Sequence, residues 1–230
     1  MNLKNLKTEV SKYMHLEDTG VLDVIIASIM SNRMRLDGKI WLAIVGESSG
    51  GKSQIINPVL KSDENYFIKV DDISENAFLS AAIGKQDNSL LTPDKTNNTL
   101  VFSDLTVLFS KNAEIRNAVL SQFRMIFDGS MTKLTGNGKK EWRGRMGVLA
   151  GCTPSIYRHL AEVADMGERF MYYRLKSNDP VKATELVLNR LLSGNALDDT
   201  LSNTFGDYME GLGKWIAENK DSIATNYTNA

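Results

Sequence analysis

The chain of 230 residues contains a single cysteine, Cys152. One thiol excludes an internal disulfide and a cysteine-rich zinc site. It sits in the apolar run GVLAGC, where a buried, inert thiol is the expectation. No apolar run reaches the length of a membrane span, and the longest candidate, Val21 to Met30, is short and amphipathic. The opening residues, MNLKNLKTEV, lack the apolar core of a secretory signal, so a cytoplasmic location is expected. There is no excess of either charge: 27 Lys and Arg against 28 Asp and Glu give a net charge of −1. That excludes the global basic signature of many nucleic-acid binders. Repeats and low-complexity tracts are also missing. What remains, 42% hydrophobic and 24% charged, is an ordinary globular composition. The length suits one large domain, or one core with an appendage.

Against this plain background one stretch stands out, KIWLAIVGESSGGKSQIINPVL. From Gly46 to Ser53 it reads G-x-x-x-x-G-K-S. An apolar run of strand character, Ile40 to Val45, precedes it, and Ile55, Ile56, Val59 and Leu60 follow at helical spacing. A strand, a glycine-rich loop and a helix are the context a phosphate-binding loop requires. Gly46, Gly50 and Gly51 permit backbone angles closed to other residues. The loop can then turn its N–H groups toward phosphate oxygens, at the positive end of the following helix. ATP would be held by Gly46, Glu47, Ser48, Ser49, Gly50, Gly51, Lys52, Ser53 and Gln54. Lys52 reaches the β- and γ-phosphates, and the Ser53 hydroxyl ligates Mg²⁺.

The segment TLVFSD supplies the partner signal, an apolar strand ending in an acid, Asp104. Such a strand delivers its carboxylate beside the metal. Many P-loop ATPases place a glutamate next, to polarise water; this chain has Leu105. Two registers stay open. Asp104 is the magnesium-side acid, or Ser103 takes that place and Asp104 acts as the base. A helix N-cap is the structural alternative for Asp104.

DGSMTKLTGNGKKEWRGRMGVLAGCTP reads as two strands around a tight GNGKK turn. Lys139 and Lys140 sit at the tip, with Arg143 and Arg145 on the returning arm. A basic hairpin can grip DNA through its phosphates, or it can be merely solvated. The strand GVLAGC then ends at Thr153, expected between the P-loop strand and the acid-bearing strand, near the γ-phosphate. MGERFMYYRL carries Glu168, Arg169 and Arg174. Arg169 is the candidate for an arginine that stabilises a neighbouring subunit's phosphoryl transfer, or else for a surface ion pair with Glu168.

Along the chain, residues 1–20 read as polar and helical, and Val21 to Met34 as an amphipathic helix. NYFIKVDDIS, TLVFSD, RMGVLAGCT and RFMYYRL read as strands. Residues 75–83 read as helical, as does Leu105 to Phe127 with a break near Lys111–Asn112. From Val181 onward helical patterns alternate with polar breaks at SGNALDDT and NKDS. Strands alternating with helices predict an α/β fold, a parallel sheet covered on both faces. The division expected is a helical lead-in at 1–34, a P-loop ATPase core at 35–180, and a lid-like helical segment at 181–230.

In this order the motifs resemble the AAA+ superfamily of P-loop ATPases. The arrangement is similar to the branch with a β-hairpin before the sensor strand, which includes the minichromosome-maintenance helicases. Their SRFD motif corresponds to GERF here, which implies that Arg169 is an arginine finger. Lys139 or Lys140 would match their DNA-contacting hairpin lysine, and Thr153 their sensor asparagine. The chain also resembles a group of phage and mobile-element ATPases through WLAIVG…GKS, FRMIFDGSMTK and GERFMYYRL. The resemblance spans roughly Leu22 to Leu175. Two departures stand against it: no glutamate follows Asp104, and the C-terminal segment offers only Arg190 as a second-sensor arginine.

The resemblance implies an ATP- and Mg²⁺-dependent motor that assembles into a homo-oligomer, ring-like, and acts on DNA as a helicase, translocase or replication ATPase. In that reading Lys52, Asp104, Thr153 and Arg169 form the catalytic set, and Ser53 and Asp104 hold the metal. Lys139, Lys140 and Arg143 contact DNA. The rivals are a protein remodeller or loader with the same engine, a nucleotide switch that barely hydrolyses, and a small-molecule kinase, for which no acceptor motif is visible.

Overall fold

The computed structural model describes residues 2–35, 39–48, 50–80, 89–135, 138–159, 162, 169–193 and 197–219. Ser49, Glu168, the turn residues Gly136 and Asn137, and residues 81–83 of the expected helix lie outside them, as does the side chain of Arg190.

Helix α1 (Leu3–Ser11) starts where the Asn2 side chain accepts a hydrogen bond from the Asn5 N–H at 2.9 Å, the usual N-cap arrangement. Helix α2 (Gly20–Arg33) matches the second expected helix to within a residue. Five strands then form one sheet: β1 (Trp41–Val45), β2 (Phe67–Val70), β3 (Thr99–Phe102), β6 (Gly147–Cys152) and β7 (Phe170–Arg174). Between them run α3 (Lys52–Lys61), the single turn α4 (Thr106–Phe109), α5 (Ala113–Asp128) and the hairpin strands β4 (Ser130–Thr135) and β5 (Gly138–Arg143). A 3₁₀ turn covers Pro154–His159, and helices α6 (Pro180–Ser193) and α7 (Leu197–Glu218) follow.

The sheet order is β2-β3-β6-β1-β7, and every pairing is parallel. Its central strands are buried along their whole length, β1 and β6 without a break, as a sheet covered on both faces demands. Side chains alternate across the sheet, so β1 feeds two cores. Trp41, Ala43 and Val45 join Leu100, Phe102, Val148, Ala150 and the buried face of α5. Leu42 and Ile44 join Val101, Leu149 and the apolar stripes of α1, α2, α3 and α7.

The 22-residue α7 places Leu201, Phe205, Tyr208 and Met209 in that second core, at the spacing of one helix face. On the first face, Trp41 is wholly buried. Its ring meets Phe123, Phe127 and Phe170 edge-on at 5.6, 5.1 and 5.3 Å, and its indole N–H donates to Met146 O at 2.8 Å. Aromatic edge contacts with a satisfied N–H add to the area term of burial.

The helix expected at residues 75–83 is not formed over its described part; residues 75–80 make turns and bends. The reason is a competing set of partners. Leu90 N and Leu91 N donate to Ala77 O and Phe78 O, and Ser80 N donates to Ser89 Oγ, so these backbone groups pair across a loop rather than along a helix.

Trp41 generates the first prediction. Trp41→Ala removes the largest wholly buried ring among the described residues and its hydrogen bond to Met146 O, so unfolding free energy should fall by about 3–5 kcal/mol. Urea midpoints of the two chains measure it; a loss below about 1 kcal/mol would contradict the packing described.

Candidate nucleotide site

The glycine-rich segment connects β1 to α3. Gly51 takes a left-handed φ of 85°, open to glycine and strained for others. A side chain at Gly50 would bring its Cβ within 2.9 Å of Glu47 O, which already accepts the Gly50 N–H at 3.0 Å. The loop thus closes on itself and leaves its concave side to small groups. Lys52, the first residue of α3, is buried, and its ammonium donates to Gly46 O and Glu47 O, each at 2.7 Å. The lysine is therefore folded back over its own loop, and its charge lies where a polyphosphate would sit. Ser53 and Gln54 are exposed on the first turn of α3, and Ser48 is exposed in the loop.

Strand β6 links this loop to the acid. It lies between β1 and β3, as Thr153 at its end required. Gly46 N donates to Cys152 O at 3.0 Å on one side, and Leu105 N donates to Gly151 O at 2.8 Å on the other. The ends of the P-loop strand and the acid-bearing strand are thereby fixed about 10 Å apart, two strand spacings. Asp104 and Lys52 both lie close enough to Cys152 to act on its thiol, Asp104 raising and Lys52 lowering its pKa.

Asp104 precedes the α4 turn, whose N-cap is Leu105, and one of its carboxylate oxygens accepts the Thr106 N–H at 2.9 Å. Thr106 continues outward, its hydroxyl accepting the Thr153 N–H at 2.8 Å and lying 3.3 Å from Thr153 Oγ1. Thr153 Oγ1 also pairs with Ser155 Oγ at 2.6 Å. Thr106 thus links Asp104, through its backbone N–H, to Thr153, through its hydroxyl, and sequence reading missed this middle member. A threonine two residues after a strand-end acid was the available signal. Ser103, the alternative metal-side residue, points to Asp71 instead, Oγ to Oδ1 3.5 Å. Leu105 is buried in the first core, so no carboxylate stands at the position after the acid.

Arg169 lies at the other end of the sheet. Trp41 is in register with Phe170 and Val45 with Arg174, so Arg169 precedes β7 on the side away from the P-loop. Its guanidinium donates to both Asp128 oxygens, at 3.0 and 3.3 Å, and stacks 5.3 Å from the Phe127 ring centroid. Asp128 is thus an ion-pair partner of Arg169, while Glu168 lies outside the described residues.

The hairpin forms as expected, with Met131 opposite Trp142 and Lys133 opposite Lys140. Alternation puts Lys140 on the face of buried Met131 and Trp142, with Lys133, which reaches Asn76 at 2.6 Å. Lys139 and Arg143 share the opposite face with Glu141 and Leu134. Glu141 pairs with Lys139, which holds its carboxyl below the ordinary range and so ionised. The two tip lysines therefore face opposite ways. Arg145 turns back to the body, donating to Ser31 O at 3.2 Å.

A metal would find Ser53 and Asp104 here, with phosphate oxygens completing the shell, a donor set that suits Mg²⁺. Among the described residues, no group of three or more His, Cys, Asp or Glu side chains forms a metal cage. Among the described residues, likewise, no helix is long and apolar enough to cross a membrane.

No protein-family model and no curated protein matches the chain. Among solved structures, that of an S. cerevisiae Hsp104–ADP complex is similar, with a TM-score of 0.55 and 15% identity. The match covers 84% of this chain and 40% of that one, so the chain spans less than half of its structural neighbour.

Burial next to Asp104 pushes the Cys152 thiol up to about 12, from an ordinary value of 9.0. The folded chain holds this proton longer than the unfolded chain does. The associated stability is complete below about pH 8.5 and is lost as pH rises toward 12. Stability should therefore fall more steeply above pH 9 in the native chain than in Cys152→Ala. A thiol-reactive disulfide at pH 8 should label the folded chain only as fast as it unfolds; rapid labelling would contradict the burial.

The sheet order, the parallel pairings and the flanking helices give an α/β fold with a parallel central sheet, similar to the fold of the solved neighbour.

Proposed function

We propose that the chain is an ATP-binding and ATP-hydrolysing motor subunit of the AAA+ type. One observation carries this reading. Buried Lys52 is folded over a glycine loop whose strand is tied through β6 to the strand bearing Asp104. Lys52 and the loop N–H groups would bind and orient the phosphates. Ser53 and Asp104 would hold Mg²⁺, which when bound neutralises charge on the β- and γ-oxygens. Thr153, anchored through Thr106, would position the reacting end.

Arg169 cannot serve its own P-loop. It stands beyond the far end of a five-residue strand, roughly 15 Å away. That placement supports action on a neighbouring subunit, and with it a homo-oligomer. Release from Asp128 would then accompany assembly.

The hairpin supports DNA as the cargo, through Lys139 and Arg143 on one face and Lys140 with Lys133 on the other. Protein remodelling is the second reading, favoured by Leu134, 77% exposed beside Lys139 on the same face. Buried Leu105, in place of a second acid, favours a slow switch.

Lys52→Ala should abolish ATP binding, and Arg169→Ala should keep binding while turnover falls on the order of 10³-fold. Mixing the two inactive variants should restore part of the activity, because each supplies what the other lacks. Normal ATP affinity in Lys52→Ala would sink the P-loop assignment; a mixture as inactive as its parts would sink the finger. Reversing Lys139 and Lys140 to Glu should weaken single-stranded DNA binding at least tenfold and flatten its salt dependence. Unchanged DNA affinity, with ATP turnover stimulated by an unfolded protein, would assign the protein cargo instead.

A further inference from the structure

Beside the P-loop lies a cavity of about 410 Å³, walled in part by Pro154 just after β6. Its wall includes Gly46, Glu47 and Gly50 of the loop, then Arg174, Lys176 and Ser177 from the end of β7. Two cations thus face one carboxylate, Glu47. Arg174 is placed there by register: it pairs with Val45, the residue before the loop begins. Leu175 continues the tie, its N–H donating to Val45 O at 2.8 Å.

The two cations are not equivalent. Lys176 lies in the field of Asp18, whose carboxyl is held below its ordinary range, first by the Tyr173 hydroxyl and then by the Gly20 N–H. Asp18 is therefore ionised and offsets Lys176. Arg174 is exposed and, among the described residues, makes no ion pair. A guanidinium beside the loop suits a phosphate, because its planar fork matches phosphate oxygens.

We infer that Arg174 is a cis-acting phosphate ligand, binding the α- or β-phosphate of the nucleotide held by its own P-loop. The choice of phosphate follows from strand order. With β7 on one side of β1 and β6 and β3 on the other, Arg174 and Asp104 flank the loop from opposite sides. The γ-phosphate faces Thr153 and Asp104, so Arg174 faces the part shared by ATP and ADP. This rests on the ATP-binding reading given above.

The test is equilibrium binding of fluorescent ATP and ADP to Arg174→Gln and Arg174→Lys, with Lys52→Ala beside them. Arg174→Gln should weaken both nucleotides by about tenfold or more, and Arg174→Lys should recover part of the loss. Because the side chain is exposed, the urea midpoint should not move. Unchanged affinity for both nucleotides in Arg174→Gln would overturn the inference. A loss confined to ATP would overturn it too, since that assigns Arg174 to the γ-phosphate. A Lys52→Ala chain that binds normally would instead overturn the P-loop reading, so the two failures are distinguishable.

Discussion

Strand β6 is hydrogen-bonded on both edges at its very end, to the start of the P-loop and to the residue after Asp104. Everything at the candidate site depends on that double tie. It fixes the distance between Lys52 and Asp104, and it presents Thr153 between them. The fit is close: a side chain at Gly151 would place its Cβ 2.5 Å from Ser103 O. Only glycine lets β3 approach at that point. The buried thiol of Cys152 lies next along the strand, and its raised pKa reflects the same dry, acid-flanked position.

The tie is held in place by packing far from the site. Alternation along β1 sends Trp41 into one core and Leu42 into the other, so the strand is gripped from both faces. Helix α3 carries Lys52 at one end and buries Ile55, Ile56 and Val59 further along. The lysine's position is thus set by apolar burial, and α7 closes over the same core. A site with this support need not order itself when a ligand arrives, which lowers the entropic cost of binding.

Much of the site was legible because local chemistry determined it. Gly50 and Gly51 betrayed the loop, Gly51 through its left-handed angle and Gly50 through its close approach to Glu47 O. TLVFSD and GVLAGCT each showed an apolar strand with a polar end. The hairpin followed from GNG between two strand-like arms. Other features were not legible, because they depend on partners distant in the chain. The stretch at residues 75–80 has helical spacing but pairs with 89–91. Arg169 meets Asp128, 41 positions earlier, a partner that no neighbouring residue announces. Lys139 and Lys140, neighbours at the tip, diverge because a strand alternates its faces.

The sequence by itself determined the glycine-rich loop between strand and helix, the acid-ended strand and the α/β alternation, because each is written in residues a few positions apart and obeys local steric and periodic rules. Tertiary structure alone decided that β6 enters between β1 and β3 and that Thr106 joins Asp104 to Thr153. It also decided that Arg169 lies at the far end of the sheet from the loop and that Arg174 lies beside it. Strand order is a property of the whole sheet: it depends on which apolar faces can be covered together, and no short stretch carries that information.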